Sequence, residues 1–195
     1  MHPATPSQTH LSILVVSCSL RLTSRSHRLA QAAEAALQAR GADPELIDLR
    51  EWDLPLCDGV DSYDHPSVRP LSDKIANASA VLLSSPVYNY DVNAAAKNLV
   101  EMTGSAWKEK PVGFLCAAGG PNSYMSPIGL ASSLMLDFRS LIIPRFVYAT
   151  DQDFEADGGL VGSMQARVEG LAGAAVELAR ALAWLRSARG DRLSS

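Results

Sequence analysis

Cysteine and histidine are scarce in this sequence of 195 residues. The three cysteines, Cys18, Cys57 and Cys116, lie far apart and form no C-x-x-C pair, so no metal site is expected. Their sparse use favours a reduced protein of the cytoplasm. The histidines show no ligand spacing and are predicted to lie on the solvated surface: they are His2, His10, His27 and His65.

Basic residues are also fewer than acidic ones, with 17 lysines and arginines against 21 aspartates and glutamates. Nucleic acids and anionic lipids attract clustered basic side chains, so neither is expected as a partner of a chain with a net charge of −4. No uninterrupted apolar run approaches the roughly 18 residues that cross a bilayer. Residues 1–10 have neither the basic flank nor the apolar segment of a signal peptide. We therefore expect no membrane association and a cytoplasmic location.

The composition is that of one folded domain, because 47% of the residues are hydrophobic and 19% are charged. This balance supplies a sizeable core and excludes disorder for most of the chain. The length favours one domain over two. We predict a disordered tail at residues 1–10, a single domain at residues 11–186, and a polar tail at residues 187–195.

Strand and helix patterns alternate along the chain. Short, nearly continuous apolar runs predict five strands, at residues 11–17, 44–49, 80–84, 111–117 and 141–148. Helical spacing predicts helices at residues 27–40, 71–77, 94–102, 128–138 and 160–186. Pro86 is expected to end the third strand because it has no backbone N–H. The alternation predicts a doubly wound α/β domain with a five-stranded parallel sheet in the order 2-1-3-4-5, helices on both faces, and a ligand crevice at the carboxyl ends of strands 1 and 3.

The first loop at this crevice, residues 17–26, is rich in hydroxyl and guanidinium groups. It includes Ser19, Ser24 and Ser26, with Arg21 among them, and it leads into a predicted helix N-terminus. A helix N-terminus favours an anion, and an arginine adds a charge-assisted contact, so the loop suits a phosphate monoester. The alternative is an ordinary capped helix start. Neither G-x-G-x-x-G nor G-x-x-x-x-G-K-[ST] is present, which disfavours a Rossmann dinucleotide site and a P-loop.

This first loop resembles that of the NADPH-dependent FMN reductases, which typically reads G-S-x-R-x-x-S-x-N. Ser19, Arg21 and Ser24 match in register, whereas Cys18 replaces the glycine and Ser26 the asparagine. The resemblance extends over about residues 12–182. It implies a flavodoxin-like fold, FMN as cofactor, NADPH or NADH as electron donor, a small-molecule acceptor such as a flavin, quinone, chromate or azo dye, and a homodimer or homotetramer.

The second loop, residues 85–93, follows the third predicted strand and resembles the P-x-Y-N loop of the same family. It contains Pro86, Val87, Tyr88, Asn89 and Tyr90. A proline-rigidified loop can present backbone groups to the polar edge of a flavin while an aromatic side chain covers apolar ring area. The family often has glycine where Tyr90 stands. The alternative is a turn whose tyrosines pack on the core or at a subunit contact.

The third loop, residues 117–124, also resembles a glycine-containing loop of the family. Gly119 and Gly120 would allow close approach of the backbone to a flat ring, and Asn122 and Ser123 offer hydrogen bonds to the pyrimidine edge. The alternative is a simple strand-to-helix turn.

These features predict an FMN-dependent oxidoreductase that takes a hydride from NAD(P)H and passes electrons to a flavin, quinone or similar acceptor. No catalytic side chain is predicted, because the flavin supplies the chemistry. A flavodoxin-type electron carrier is the alternative, although such carriers use strongly acidic surfaces to steer toward partners. A serine hydrolase using Ser17 or Ser19 is disfavoured, since there is no G-x-S-x-G elbow and no histidine late in the chain.

Overall fold

The computed structural model describes the backbone of residues 11–193 and the side chains of residues 11–188. The predicted tail at residues 1–10 lies outside the described residues. The strands are β1 (Ser12–Ser17), β2 (Asp43–Asp48), β3 (Ala80–Tyr88), β4 (Asp91–Val92), β5 (Pro111–Ala117), β6 (Leu141–Ile142) and β7 (Val147–Ala149). The α-helices are α1 (Arg25–Gln38), α2 (Val68–Asn77), α3 (Ala94–Thr103), α4 (Ile128–Phe138) and α5 (Gly162–Leu193).

The main sheet has the order β2-β1-β3-β5-β6, and these neighbours pair in parallel. This arrangement confirms the predicted doubly wound order 2-1-3-4-5. The predicted number of five strands is wrong, because the described residues form seven. Two short strands, β6 and β7, share the position predicted for one, and both pair with β5. Pro144 lies between them and has no N–H for a continuous ladder.

The seventh strand, β4, arises where β3 runs further than predicted. Pro86 does not end β3, which continues to Tyr88 and turns back antiparallel into β4. The pairing of β3 with β1 stops at Ser84, so Pro86 pairs only with Ala117 of β5. A proline is tolerated at such a one-sided position because its missing N–H is not needed by a second neighbour.

Two apolar layers cover the two faces of the sheet. On one face, α2, α3 and α4 bury side chains such as Leu71, Leu99 and Leu134. On the other face, α1 and α5 bury side chains that include Leu29 and Leu171. Because both faces are covered, the central strands β1, β3 and β5 are apolar over most of their length, as the continuous runs in the sequence indicate.

The closing helix α5 continues to Leu193, beyond the predicted end at residue 186. It is 32 residues long. Within residues 11–193, no helix combines the length and the apolar character that a membrane crossing requires.

Candidate functional site

The three predicted loops meet in a cleft of about 430 Å³ at the carboxyl ends of β1, β3 and β5. We call it the three-loop cleft. Predicted site residues that line it are Ser19, Arg21, Ser24, Ser26, Pro86, Val87, Tyr88 and Gly119. Four other lining residues also belong to the predicted loops: Thr23, Arg25, Ala117 and Ala118. Arg28 lines the cleft from outside those loops and was not predicted. The remaining predicted residues belong to the same loops but not to the lining: Asn89, Tyr90, Gly120, Asn122 and Ser123.

The serine hydroxyls of the first loop bind one another and the start of α1. Ser24 is the N-cap, and its Oγ accepts a hydrogen bond of 3.2 Å from the backbone N–H of His27. The Oγ atoms of Ser24 and Ser26 are 2.9 Å apart, and the hydroxyl of Ser84 donates to the backbone oxygen of Ser26 at 2.6 Å. Ser19 Oγ accepts from the N–H of Arg21 at 3.3 Å. These bonds fix the loop's shape around the positive end of α1.

The arginines of the three-loop cleft differ in how strongly they are held. Arg25 forms an ion pair with Asp151, and its guanidinium lies 5.8 Å from the ring centroid of Phe154. Arg21 is exposed, and among the described residues its guanidinium has no hydrogen-bond or ion-pair partner. A guanidinium without a protein partner at the mouth of a cleft is free to bind an anion.

Asn93 joins the first and second loops, a role that the sequence interpretation missed. Its side-chain amide donates to the backbone oxygen of Cys18 at 2.7 Å, and its Oδ1 lies 3.0 Å from Ser85 Oγ. The same Oδ1 accepts from the N–H of Ala96, so Asn93 is also the N-cap of α3. An asparagine directly before an alanine-rich helical run is an N-cap signal. The link to Cys18 depends on the tertiary fold.

The second loop is a tight hairpin between β3 and β4. Tyr88 pairs with Asp91, which leaves Asn89 and Tyr90 as the two turn residues. Both have left-handed backbones, with φ of 51° and 67°, as a two-residue turn of type I′ requires. Tyr88 and Tyr90 are 55% and 56% exposed, so neither packs into the core of the described chain. Tyr88 lines the cleft.

Tyr148 of β7 holds the third loop. Its hydroxyl donates to the backbone oxygen of Gly120 at 2.5 Å and accepts from the N–H of Ser123 at 3.2 Å. The ring meets Tyr124 edge to face, with centroids 5.7 Å apart. A Cβ added at Gly119 or Gly120 would have no atom within 4 Å, and neither residue has a left-handed φ. The described chain itself therefore does not require glycine at these positions.

His27 is half-buried, with its side chain 21% exposed, whereas the prediction placed it on the solvated surface. Its Nδ1 lies 3.0 Å from Ser17 Oγ and 3.3 Å from Asp48 Oδ2. Burial raises the pKa of Asp48, but hydrogen bonds and charge from Arg50, together with the charge of His27, outweigh burial and hold that pKa below its ordinary value. Hydrolytic triads place serine and carboxylate on opposite ring nitrogens. Here both face the same nitrogen and Ser17 is fully buried, which argues against a hydrolase.

Cys18, which stands where the first-loop motif has glycine, is fully buried. Burial, followed by the nearby Cys116 and Asp48, raises the pKa of its thiol, so it is not a reactive thiolate. The part of the chain that the structure describes contains no group of three or more His, Cys, Asp or Glu side chains able to hold a metal ion.

Known proteins resemble the chain in sequence and in fold. The family model "NADPH-dependent FMN reductase" matches residues 11–155. An NADPH:quinone oxidoreductase of Arabidopsis thaliana is 29% identical over 173 residues, which cover 83% of this chain and 87% of that protein.

Two solved structures show the fold. A flavoenzyme NAD(P)H:(acceptor) oxidoreductase of Paracoccus denitrificans superposes with a TM-score of 0.71 at 24% identity, covering 87% of this chain and 97% of the other. A flavodoxin from the domain Archaea gives a TM-score of 0.58 at 13% identity, covering 86% and 98%. The fold is therefore flavodoxin-like, as predicted.

Proposed function

Because the chain belongs to the NADPH-dependent FMN reductase family, we propose that its three-loop cleft holds FMN, with the first loop at the phosphate and the second and third loops at the ring system. The protein is an NAD(P)H-dependent oxidoreductase with FMN and NAD(P)H as cofactors, and it acts on small-molecule acceptors. When bound, FMN supplies hydride chemistry with NAD(P)H and electron transfer to the acceptor.

The first loop fits a phosphate monoester on three grounds. It surrounds the N-terminus of α1, where backbone N–H groups and the helix dipole favour an anion. Arg21 brings to the cleft a guanidinium that has no partner among the described residues. Ser24 caps α1, and this hydrogen bond fixes the loop at the helix N-terminus. Within the site, the exposed Arg21 beside the capped helix start carries the assignment.

The second and third loops fit a flat heteroaromatic ring. Tyr88 is 55% exposed and lines the cleft, where it supplies apolar area next to the rigid Pro86. Gly119 has open space where a side chain would stand, which leaves room for a ring to approach the backbone. The hydrogen bonds of Tyr148 hold the third loop in place for contact through Asn122 and Ser123.

We propose a quinone as the acceptor class, because the Arabidopsis relative that aligns over 83% of this chain is named an NADPH:quinone oxidoreductase. Tyr88, which is 55% exposed and lines the cleft, suits an aromatic acceptor. A flavodoxin-type carrier would instead depend on a strongly acidic surface, whereas the net charge here is −4.

The proposal also includes self-association and a cytoplasmic location. Exposed apolar side chains on α4 support a homodimer, since Ile128, Met135 and Leu136 are 40%, 46% and 82% exposed. Cys18, Cys57 and Cys116 are all free thiols, in keeping with a reducing compartment.

The decisive experiment follows the flavin absorption band of the purified protein loaded with FMN. We expect NADPH to bleach the band within seconds of stopped-flow mixing. A quinone added afterwards should restore the band. Arg21→Ala should lose FMN, whereas Arg167→Ala, the same charge change on the exposed side of α5, should retain it. Tight FMN binding without reduction by NADPH would favour the carrier, and unchanged FMN affinity in Arg21→Ala would refute the phosphate assignment.

A further inference from the structure

We propose that Arg50 is a positioning residue that holds the first loop in its phosphate-binding shape; this proposal rests on the proposed function. Arg50 follows β2 and lies outside the three-loop cleft. Its Nη1 donates a hydrogen bond of 3.0 Å to the backbone oxygen of Leu22. Leu22 is the neighbour of Arg21, the guanidinium assigned to the phosphate.

Residues 20–23 have few other attachments. Among the described residues, their hydrogen bonds are the one from Arg50 to Leu22 and one inside the loop, from the N–H of Arg21 to Ser19 Oγ. The side chains of Leu20 and Leu22 are 64% and 86% exposed, so packing contributes little. Arg50 is therefore the attachment between this segment and the rest of the described fold.

Arg50 is itself fixed by a buried carboxylate. Its Nε lies 2.9 Å from both carboxylate oxygens of Asp48, its Nη2 also contacts Asp48, and its backbone N–H donates to Oδ1 at 3.1 Å. Asp48 is only 6% exposed and also meets His27 of α1. The planar fork of arginine can bind a carboxylate on one side and a carbonyl with its remaining N–H groups, which a lysine cannot reproduce.

The arrangement means that Arg50 acts on FMN through the loop. When the attachment is lost, residues 20–23 sample more conformations, and ordering them opposes binding of any ligand that needs their shape. A flavin with a phosphate needs that shape, whereas riboflavin, which has the same ring system and no phosphate, does not. The ratio of the two affinities is therefore the property that Arg50 controls.

The test compares FMN and riboflavin binding to flavin-free protein by fluorescence titration, together with amide hydrogen exchange of residues 20–23. Arg50→Lys keeps a positive charge for Asp48 and removes the fork, and it is the variant expected to fold even where Arg50→Ala does not. We expect Arg50→Lys to lose about tenfold in FMN affinity, with riboflavin affinity unchanged and faster exchange in the loop. Arg69→Lys, an exposed arginine paired with Asp73 on α2, is the matched control and should change none of these.

Three results would overturn the proposal. The first is an unchanged ratio of FMN affinity to riboflavin affinity in Arg50→Lys while Arg21→Ala loses the preference for FMN. This result would show that Arg50 has no part in phosphate binding, and it would leave the proposed FMN site standing. An equal loss of affinity for both flavins would indicate a general structural role. Equal affinity of the unaltered protein for FMN and riboflavin would refute the phosphate assignment and this proposal with it.

Discussion

Replacing Tyr148 by phenylalanine tests how the third loop is held beside the cleft. The change removes one oxygen from a side chain that is 7% exposed, and it keeps the ring and its edge contact with Tyr124. The backbone oxygen of Gly120 and the N–H of Ser123 each lose their hydrogen-bond partner. At about 1 kcal/mol net for each hydrogen bond, the docked loop loses about 2 kcal/mol.

Urea unfolding and FMN titration both measure this loss. With a slope of about 2 kcal/mol per molar urea, a loss of about 2 kcal/mol lowers the unfolding midpoint by about 1 M. If FMN contacts the docked loop, the same free energy raises its dissociation constant by up to about thirtyfold. Tyr124→Phe is the control, because the described residues give its hydroxyl no hydrogen-bond partner and the side chain is 45% exposed.

Two outcomes would refute the reasoning. A Tyr148→Phe variant that matches Tyr124→Phe in both assays would mean that the phenol oxygen does not hold the loop. A variant that loses stability while FMN affinity stays unchanged would mean that the loop does not contact the flavin.

Three further predictions address the core, the pH dependence and the assembly. Gly113→Ala should lower the free energy of unfolding by about 1–3 kcal/mol, because its Cβ would lie 2.7 Å from Leu82 Cδ2 and 2.8 Å from Leu171 Cδ1. The lowered pKa of Asp48 contributes stability that is present above its unfolded value of 3.8 and is lost as the pH falls below that value. The difference in urea midpoint between the unaltered protein and Asp48→Asn should therefore shrink as the pH is lowered from 5 toward 2. Leu136→Glu should convert a homodimer to a monomer in sedimentation velocity, because it places a charge on the apolar face of α4.

Controls sharpen these three tests. Gly119→Ala adds the same methyl group where nothing lies within 4 Å, and it should leave the unfolding free energy nearly unchanged. Asp137→Asn, an exposed position on α4, should show no comparable change with pH. A monomeric unaltered protein, or an unchanged dimer in Leu136→Glu, would refute the proposed interface.

Local sequence signals were sufficient to predict the bounds of an element whose ends are set by its own residues. The bounds of β5 and α4 were predicted to the residue, since one is a continuous apolar run and the other begins after a Gly-Gly-Pro segment and a short turn. Pro86 was placed wrongly because its effect depends on which neighbouring strands still pair at that level. The division of the last strand position between β6 and β7 likewise depends on pairing with β5.

In the candidate site, too, residues within the loops could be predicted from the sequence, whereas residues that act through contacts distant in sequence could not. Hydroxyls, arginine and glycine in the loops marked the cleft, because Ser19, Arg21, Ser24, Ser26 and Gly119 themselves line it. Asn93, Arg50 and Tyr148 act through partners far along the chain: Cys18 lies 75 residues from Asn93, and Leu22 lies 28 residues from Arg50. No periodicity or short motif reports such contacts, and His27 was misplaced for the same reason.

The hairpin turn at Tyr90 has a consequence for how the protein can be modified. A non-glycine residue in the left-handed region costs about 1 kcal/mol, and Tyr90 recovers little of that by burial because it is 56% exposed. Tyr90→Gly should therefore make the protein more stable while removing the aromatic ring from the turn of the second loop. The same substitution thus tests stability and catalysis separately. If the melting temperature rises and the catalytic rate falls, the fall in rate measures the contribution of the Tyr90 ring to the reaction.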